Sequence, residues 1–114
     1  MKIESRLRRD ALSIFRASLA ASDPGKAIAR AVTLSGDTLR VGTKKYSLGQ
    51  YDRIVVLGAG KASAAMAKAL ERILGSRISA GLINTKYGHL AQLKRIELNE
   101  CGHPVPDQAG IDGA

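Results

Sequence analysis

The stretch DRIVVLGAGKASAAMAKA, Asp52 to Ala69, decides the fold. It runs an apolar, β-branched segment (53–57) into a glycine turn and then into a helical pattern. A continuous apolar run of this kind marks a strand covered on both faces, as in a parallel sheet. The spacing of Ala62, Met66, Ala69, Leu70 and Ile73 predicts a helix from about Lys61 to Leu74, closed by Gly75 as a C-cap. RISAGLINT (77–85) and RIELNEC (95–101) then read as two further strands. Strand, helix and strand in succession imply an α/β fold: part of a doubly wound, Rossmann-like three-layer sandwich.

Upstream, IESRLRRDALSIFRASLAA (3–21) spaces Ile3, Leu7, Ala11, Ile14, Phe15 and Leu19 as one stripe of an amphipathic helix. Asp23 then caps a second, short helix with Pro24 at its first position, running to about Val32. GDTLRVGTKKYSL (36–48) predicts a hairpin of two strands around Gly42-Thr43, since glycine first in a two-residue loop suits a type II′ turn. Its charges, Arg40, Lys44 and Lys45, place it at an exposed flank. Downstream, GHPVPDQAGIDGA (102–114) is an extended approach held by two prolines, with Asp107 at the start of a helix that has barely begun. The pattern reads as the N-terminal portion of a larger α/β domain.

Composition narrows the function. With three Tyr, one Phe and no Trp in 114 residues, the core is aliphatic. A formal charge of +8 raises nucleic acid as a partner, but the basic residues are spread along the chain. Neither aromatic stacking platforms nor a groove-reading helix accompanies them, so a small anion is the expected partner instead. The one cysteine, Cys101, excludes an intramolecular disulfide and reads as a core residue. No apolar run approaches ~20 residues and the start of the chain lacks a secretory apolar region, which implies a cytoplasmic protein.

The turn itself, Gly58-Ala59-Gly60-Lys61-Ala62-Ser63, departs from two nucleotide motifs. A dinucleotide fingerprint wants a third glycine where Ser63 stands, and an acidic residue about 20 positions on, where Asn84, Thr85 and Lys86 stand. A Walker loop wants glycine where Val55 stands. What remains is an anion cradle: backbone N–H groups at a helix start, with Gly58 and Gly60 letting a ligand come close. Lys61 opposes the helix dipole at a cost of roughly 0.3–1 kcal/mol, which an anionic ligand would offset. The alternative is that the two glycines only permit a sharp bend. Lys86, Tyr87 and His89 follow the next strand, at the end where α/β sheets bind ligands. Asp107 serves as an N-cap or, alternatively, as a metal or hydroxyl ligand, and His103 is flanked by a turn that is equally well structural.

VVLGAGKASAAMAKAL (55–70), GLINTKYGH (81–89) and CGHPVPDQAG (101–110), in this order, closely resemble the class II glycerate 2-kinase family. That family has a DUF4147-type N-terminal domain and a MOFRL-type C-terminal domain, and its members are often labelled hydroxypyruvate reductase. The resemblance covers nearly the whole chain and implies ATP-dependent phosphorylation of D-glycerate at its 2-hydroxyl, with Mg²⁺. It implies an active site in a cleft between two domains, with the second domain and the rest of the first domain's sheet absent here. Carried over, the family's active-site lysine falls on Lys61, and its HPVPD segment on His103 to Asp107. Gln108 departs from the acidic residue more usual there. The expected site is thus Gly58, Ala59, Gly60, Lys61, Lys86, His89 and Asp107 for substrate or phosphate, Lys61 and His103 for catalysis, and no metal ligand from this chain. An oligomer is compatible with the sequence. The rival readings are an NAD(P)-dependent hydroxypyruvate reductase and a non-catalytic basic binding module.

Overall fold

The computed structural model describes residues 2–114. Helix α1 (Lys2–Ala21) leads into α2 (Pro24–Ala31), and the break between them is local chemistry. The Asp23 carboxylate accepts from the Lys26 N–H at 2.7 Å, and Pro24 occupies the first helical position, as the sequence implies. The stripe on α1 forms but is not buried: Ile3, Leu7, Ile14, Phe15 and Leu19 are all more than half exposed.

Next comes an antiparallel meander, β1 (Val32–Ser35), β2 (Thr38–Val41) and β3 (Lys44–Ser47), where the sequence had suggested a two-stranded hairpin. The added strand comes from Val32, which leaves α2 in extended conformation, and from a second glycine-first turn. Gly36 and Gly42 open the two turns with φ of +57° and +59°, values that suit glycine. Lys44 and Lys45 are exposed, as expected. The meander is tied to the rest of the chain through Asp37, which pairs with Arg77 at 2.5 Å and accepts from the Gly49 N–H at 2.6 Å. The Arg77 bond, and then the Gly49 bond, hold the Asp37 carboxyl below its ordinary pKa.

A second sheet is parallel, in the order β4 (Val55–Ala59), β5 (Ala80–Lys86), β6 (Glu97–Cys101). Helix α3 (Ser63–Leu74) connects β4 to β5 and packs on one face. Register places Val56 and Gly58 of β4 on that face, with Ile83 and Thr85 of β5 and Leu98 of β6. The core lies there: Ala64, Ala67 and Leu74 of α3 against Ile78, Ile83 and Ile96, joined by Leu48. As expected it is aliphatic. The short helix α4 (Gln108–Asp112) begins to cover the opposite face, over β6, where Cys101 is buried beside Gly110. Helix, sheet and helix thus make the α/β arrangement the sequence implied.

Two expectations need correction. Strand β4 is not covered on both faces: Val55 is 50% and Leu57 77% exposed, because α4 reaches only β6 and its neighbour. The apolar run reported what the strand is suited to, not what covers it among the described residues. The buried face of α3 also differs in part from the one expected: Leu70 and Ile73 pack against the core as expected, but Met66 is 39% exposed and Ala64 and Ala67 are at 2% each. Helix α3 has two partners, the sheet and α2, and Ala69 is buried on the α2 side near Gly25. One periodicity cannot resolve two faces.

Ile83→Ala should lower stability by about 2–5 kcal/mol, the usual cost of emptying a filled core site. Leu57→Ala should change it by less than about 0.5 kcal/mol. Urea denaturation followed by far-UV circular dichroism measures both, and equal losses would mean that the assignment of the covered face is wrong.

Candidate functional site

Because β4, β5 and β6 are parallel and adjacent, their C-terminal ends lie along one edge. Three segments emerge there: the glycine turn 58–62, the Tyr87–Leu90 loop and the Gly102–Asp107 loop. These are the three stretches that carry the sequence resemblance. Strand topology alone brings them together, at the position where open α/β sheets bind ligands.

The glycine turn is built by contacts that allow little else. A side chain on Gly58 would press within 3.1 Å of the Ile83 side chain. Gly60 has φ of +104°, and its N–H donates to the Asn84 carbonyl at 2.9 Å. The Ser63 hydroxyl, nearly buried, donates to the Gly60 carbonyl at 2.5 Å and lies 3.3 Å from the Asn84 carbonyl. Ser63 thus uses the space between helix and strand that a dinucleotide fingerprint leaves to glycine.

Helix α3 starts at Ser63, two residues later than expected, so Lys61 precedes the helix rather than standing in its first turn. No side chain caps α3, whereas Asp23 and Asp107 cap α2 and α4. The N–H groups of Lys61, Ala62, Ala64 and Ala65 find no acceptor among the described residues. Such groups, with the partial positive charge of the helix start, favour an anion. Lys61 is exposed, and its ammonium makes no ion pair among the described residues. The turn is an open edge: the main surface depressions are lined by other residues.

The neighbouring loops are fastened to this turn and to each other. His89 Nδ1 lies 3.2 Å from the Lys61 carbonyl, so as an N–H it donates there. The wholly buried Thr85 hydroxyl donates to the His89 carbonyl at 3.0 Å. Tyr87 donates its hydroxyl to Asp107 Oδ2 at 2.8 Å, and Asp107 Oδ1 accepts from the Gly110 N–H at 3.1 Å. The Gly102 N–H is the largest influence holding the Asp107 carboxyl below its ordinary pKa, followed by the Tyr87 hydroxyl. The same bond to Asp107 raises the Tyr87 phenol.

The structure therefore joins Gly58, Ala59, Gly60, Lys61 and His89 in one cluster, and Asp107 with Tyr87 in the next. Lys86 ends β5, half-buried between them, while His103 is exposed and makes no side-chain hydrogen bond among the described residues. Asp107 is an N-cap, as the first of its two readings had it. Among the described residues no three His, Cys, Asp or Glu side chains gather as metal ligands. Sequence reasoning missed the polar ladder beneath the edge, in which Asn99 donates to Asn84 Oδ1 at 2.8 Å and Asn84 donates to the Gly110 carbonyl at 3.0 Å. The signal was available, since asparagine is depleted in strands and both Asn84 and Asn99 stand in one.

Asp107 gives a pH prediction with a definite sign. Its folded pKa lies below the unfolded value of about 3.9, so its stabilisation is complete above that pH and fades as pH falls through the folded pKa. Asp107→Asn should therefore be less stable than the parent at pH 6, with the gap narrowing toward pH 2. Thermal midpoints at both pH values test this, and an unchanged gap would sink it.

Comparison with known proteins supports the fold. Residues 10–114 match the family described as a domain of unknown function, DUF4147. A "Glycerate 2-kinase" from Pyrococcus horikoshii is 37% identical over 108 residues, which is 95% of this chain and 24% of that protein. A relative from Agrobacterium vitis that bears a hydroxypyruvate reductase name is 47% identical over 62 residues, 54% of this chain and 16% of the relative. A crystal structure of a Pyrococcus horikoshii protein superposes with a TM-score of 0.80 at 37% identity, covering 95% of this chain and 24% of that one. The chain spans about a quarter of the length of the first of these relatives. On the match over residues 10–114, the chain belongs to the DUF4147 family.

Proposed function

We propose that this chain is the N-terminal portion of the α/β domain of an ATP-dependent glycerate 2-kinase, and that the edge formed by residues 58–61 holds an anionic group of the reactants. The observation that carries the reading is the uncapped start of α3 beside Lys61, on the same edge as the other two resembling segments. The name of the Pyrococcus horikoshii relative supports the choice of reaction.

In that reaction the 2-hydroxyl oxygen of D-glycerate forms a bond to the γ-phosphorus of ATP. The bond from that phosphorus to the bridging oxygen breaks, ADP leaves, and the hydroxyl proton passes to a base. Phosphoryl transfer rests on positioning and on neutralising charge that builds on the moving oxygens. Free N–H groups at 61, 62, 64 and 65 suit that task, and the Lys61 ammonium adds a full charge. Lys61 binds either the glycerate carboxylate or the transferred phosphoryl group. His89 fixes the Lys61 backbone through its carbonyl. His103, exposed on the neighbouring loop, is the candidate to orient or deprotonate the hydroxyl.

Magnesium is a different matter. The Asp107 carboxylate already accepts from Tyr87 and two backbone N–H groups, and no ligand cluster exists among the described residues. The residues present do not form a magnesium site, so no step is assigned through one. The reductase reading is weaker on two counts: Ser63 fills the fingerprint's third glycine position, and β5 ends in Asn84, Thr85 and Lys86 without a carboxylate for a ribose.

In an enzyme carrying this sequence at the length of its relatives, Lys61→Ala should cut kcat about 10²–10³-fold, as loss of a single preorganised charge-stabilising donor does. Far-UV circular dichroism should be unchanged. D-Glycerate-dependent ADP formation measures the rate, and an unaltered kcat would remove Lys61 from the mechanism. The 114 residues alone should form no ADP with D-glycerate, and oxidation of NADH with hydroxypyruvate would favour the reductase.

A further inference from the structure

Away from the sheet edge, the outer side of α3 carries a second concentration of positive charge. Two adjoining depressions share Lys68 and Arg72. One is completed by Glu71, Gln92, Leu93 and Lys94, the other by the start of α2 with Asp23 and Lys26. Lys68 and Arg72 are one helical turn apart and so share a face, with about 6 Å between their Cβ atoms.

The groove's two carboxylates are already engaged. Glu71 accepts from the backbone N–H groups of Lys94, Arg95 and Ile96 at 2.7–3.0 Å, and Asp23 accepts from that of Lys26. Burial pushes the Glu71 pKa up, but those three N–H bonds outweigh it and leave the carboxyl below its ordinary value. Lys26, Lys68, Arg72 and Lys94 therefore surround the groove, and among the described residues none of them makes an ion pair. By fixing the 94–96 backbone against α3, Glu71 also holds Lys94 at the rim next to Arg72. Four cations against two carboxylates leave the joined hollows net positive, and a compact anion of several charges balances that excess.

We infer that this groove is a binding site for a small anion bearing adjacent phosphate groups, separate from the edge at residues 58–61. The charge belongs to the phosphate chain, whether free or carried on a nucleotide. The test uses the 114-residue protein and inorganic tripolyphosphate, by calorimetry at low salt with amide chemical shifts to place the ligand. The expected result is saturable one-to-one binding, with shifts at Lys68, Arg72 and Gln92 to Lys94 rather than at 58–62. The double variant Lys68→Glu/Arg72→Glu should weaken it at least tenfold. Lys44→Glu/Lys45→Glu, the same charge change on the exposed meander, should weaken it less than threefold. ATP of similar affinity would show that the phosphate chain alone is recognised, and tighter ATP with the same shifts that a nucleoside adds to it; both support the site. Absence of binding, equal loss in the two variants, shifts centred on 58–62, or binding of duplex DNA without tripolyphosphate would each overturn it.

Discussion

The hydrogen bond from the Gly60 N–H to the Asn84 carbonyl holds the parallel sheet and its first helix in one arrangement. It extends the pairing of β4 with β5 one residue past the strand, in a backbone conformation that glycine adopts without strain. The Ser63 hydroxyl then closes the Gly60 carbonyl onto the start of α3. With both backbone polar groups of one residue engaged, the chain turns from strand to helix within three residues. The helix N-terminus is left facing the sheet edge with its amides unsatisfied. A capping side chain at residue 62 would have spent those amides on the protein itself, but alanine stands there.

How much of this could be read from the sequence depended on the range of the interaction. Asp23 with Pro24, Gly42, Gly75 and the Asp107 cap were all legible, because each is settled by residues within a turn of its own position. The place of Lys86, Tyr87 and His89 at a ligand-binding strand end was legible too, whereas the meeting of all three loops on one edge came from the parallel pairing of the strands. The strand Val32–Ser35 was not: extended structure begins at the residue where helical spacing ends, with no loop to announce it. Nor were the Asp37–Arg77 pair or the grip of Glu71 on residues 94–96, where partners far apart in sequence meet only once the fold exists. At the candidate site, residue types pointed to loops that meet on one edge, but the bonds between them, His89 to Lys61 and Tyr87 to Asp107, needed coordinates.

The two faces of the parallel sheet illustrate a related limit. Val55 and Leu57 share their strand with Val56 and differ from it little in chemistry, yet they stand exposed while Val56 packs on the core. Apolar character states that a residue gains from cover, at about 25 cal/mol per Å², and is silent about which segment supplies it. The exposed stripe of α1 belongs to the same class. Polar residues within strands were the more informative signal here, since Asn84, Thr85 and Asn99 each mark a place where another piece of backbone must arrive.

The Glu71 carboxylate ties a surface connection to the integrity of a core helix. Parallel strands are usually joined through a helix that brings its own hydrogen bonds, but the path from β5 to β6 has none. Its last residues instead borrow an acceptor from α3, so the amides at 94, 95 and 96 stay sheltered only while that helix is intact. A surface connection thereby opens and closes as part of the same cooperative unit as a core helix.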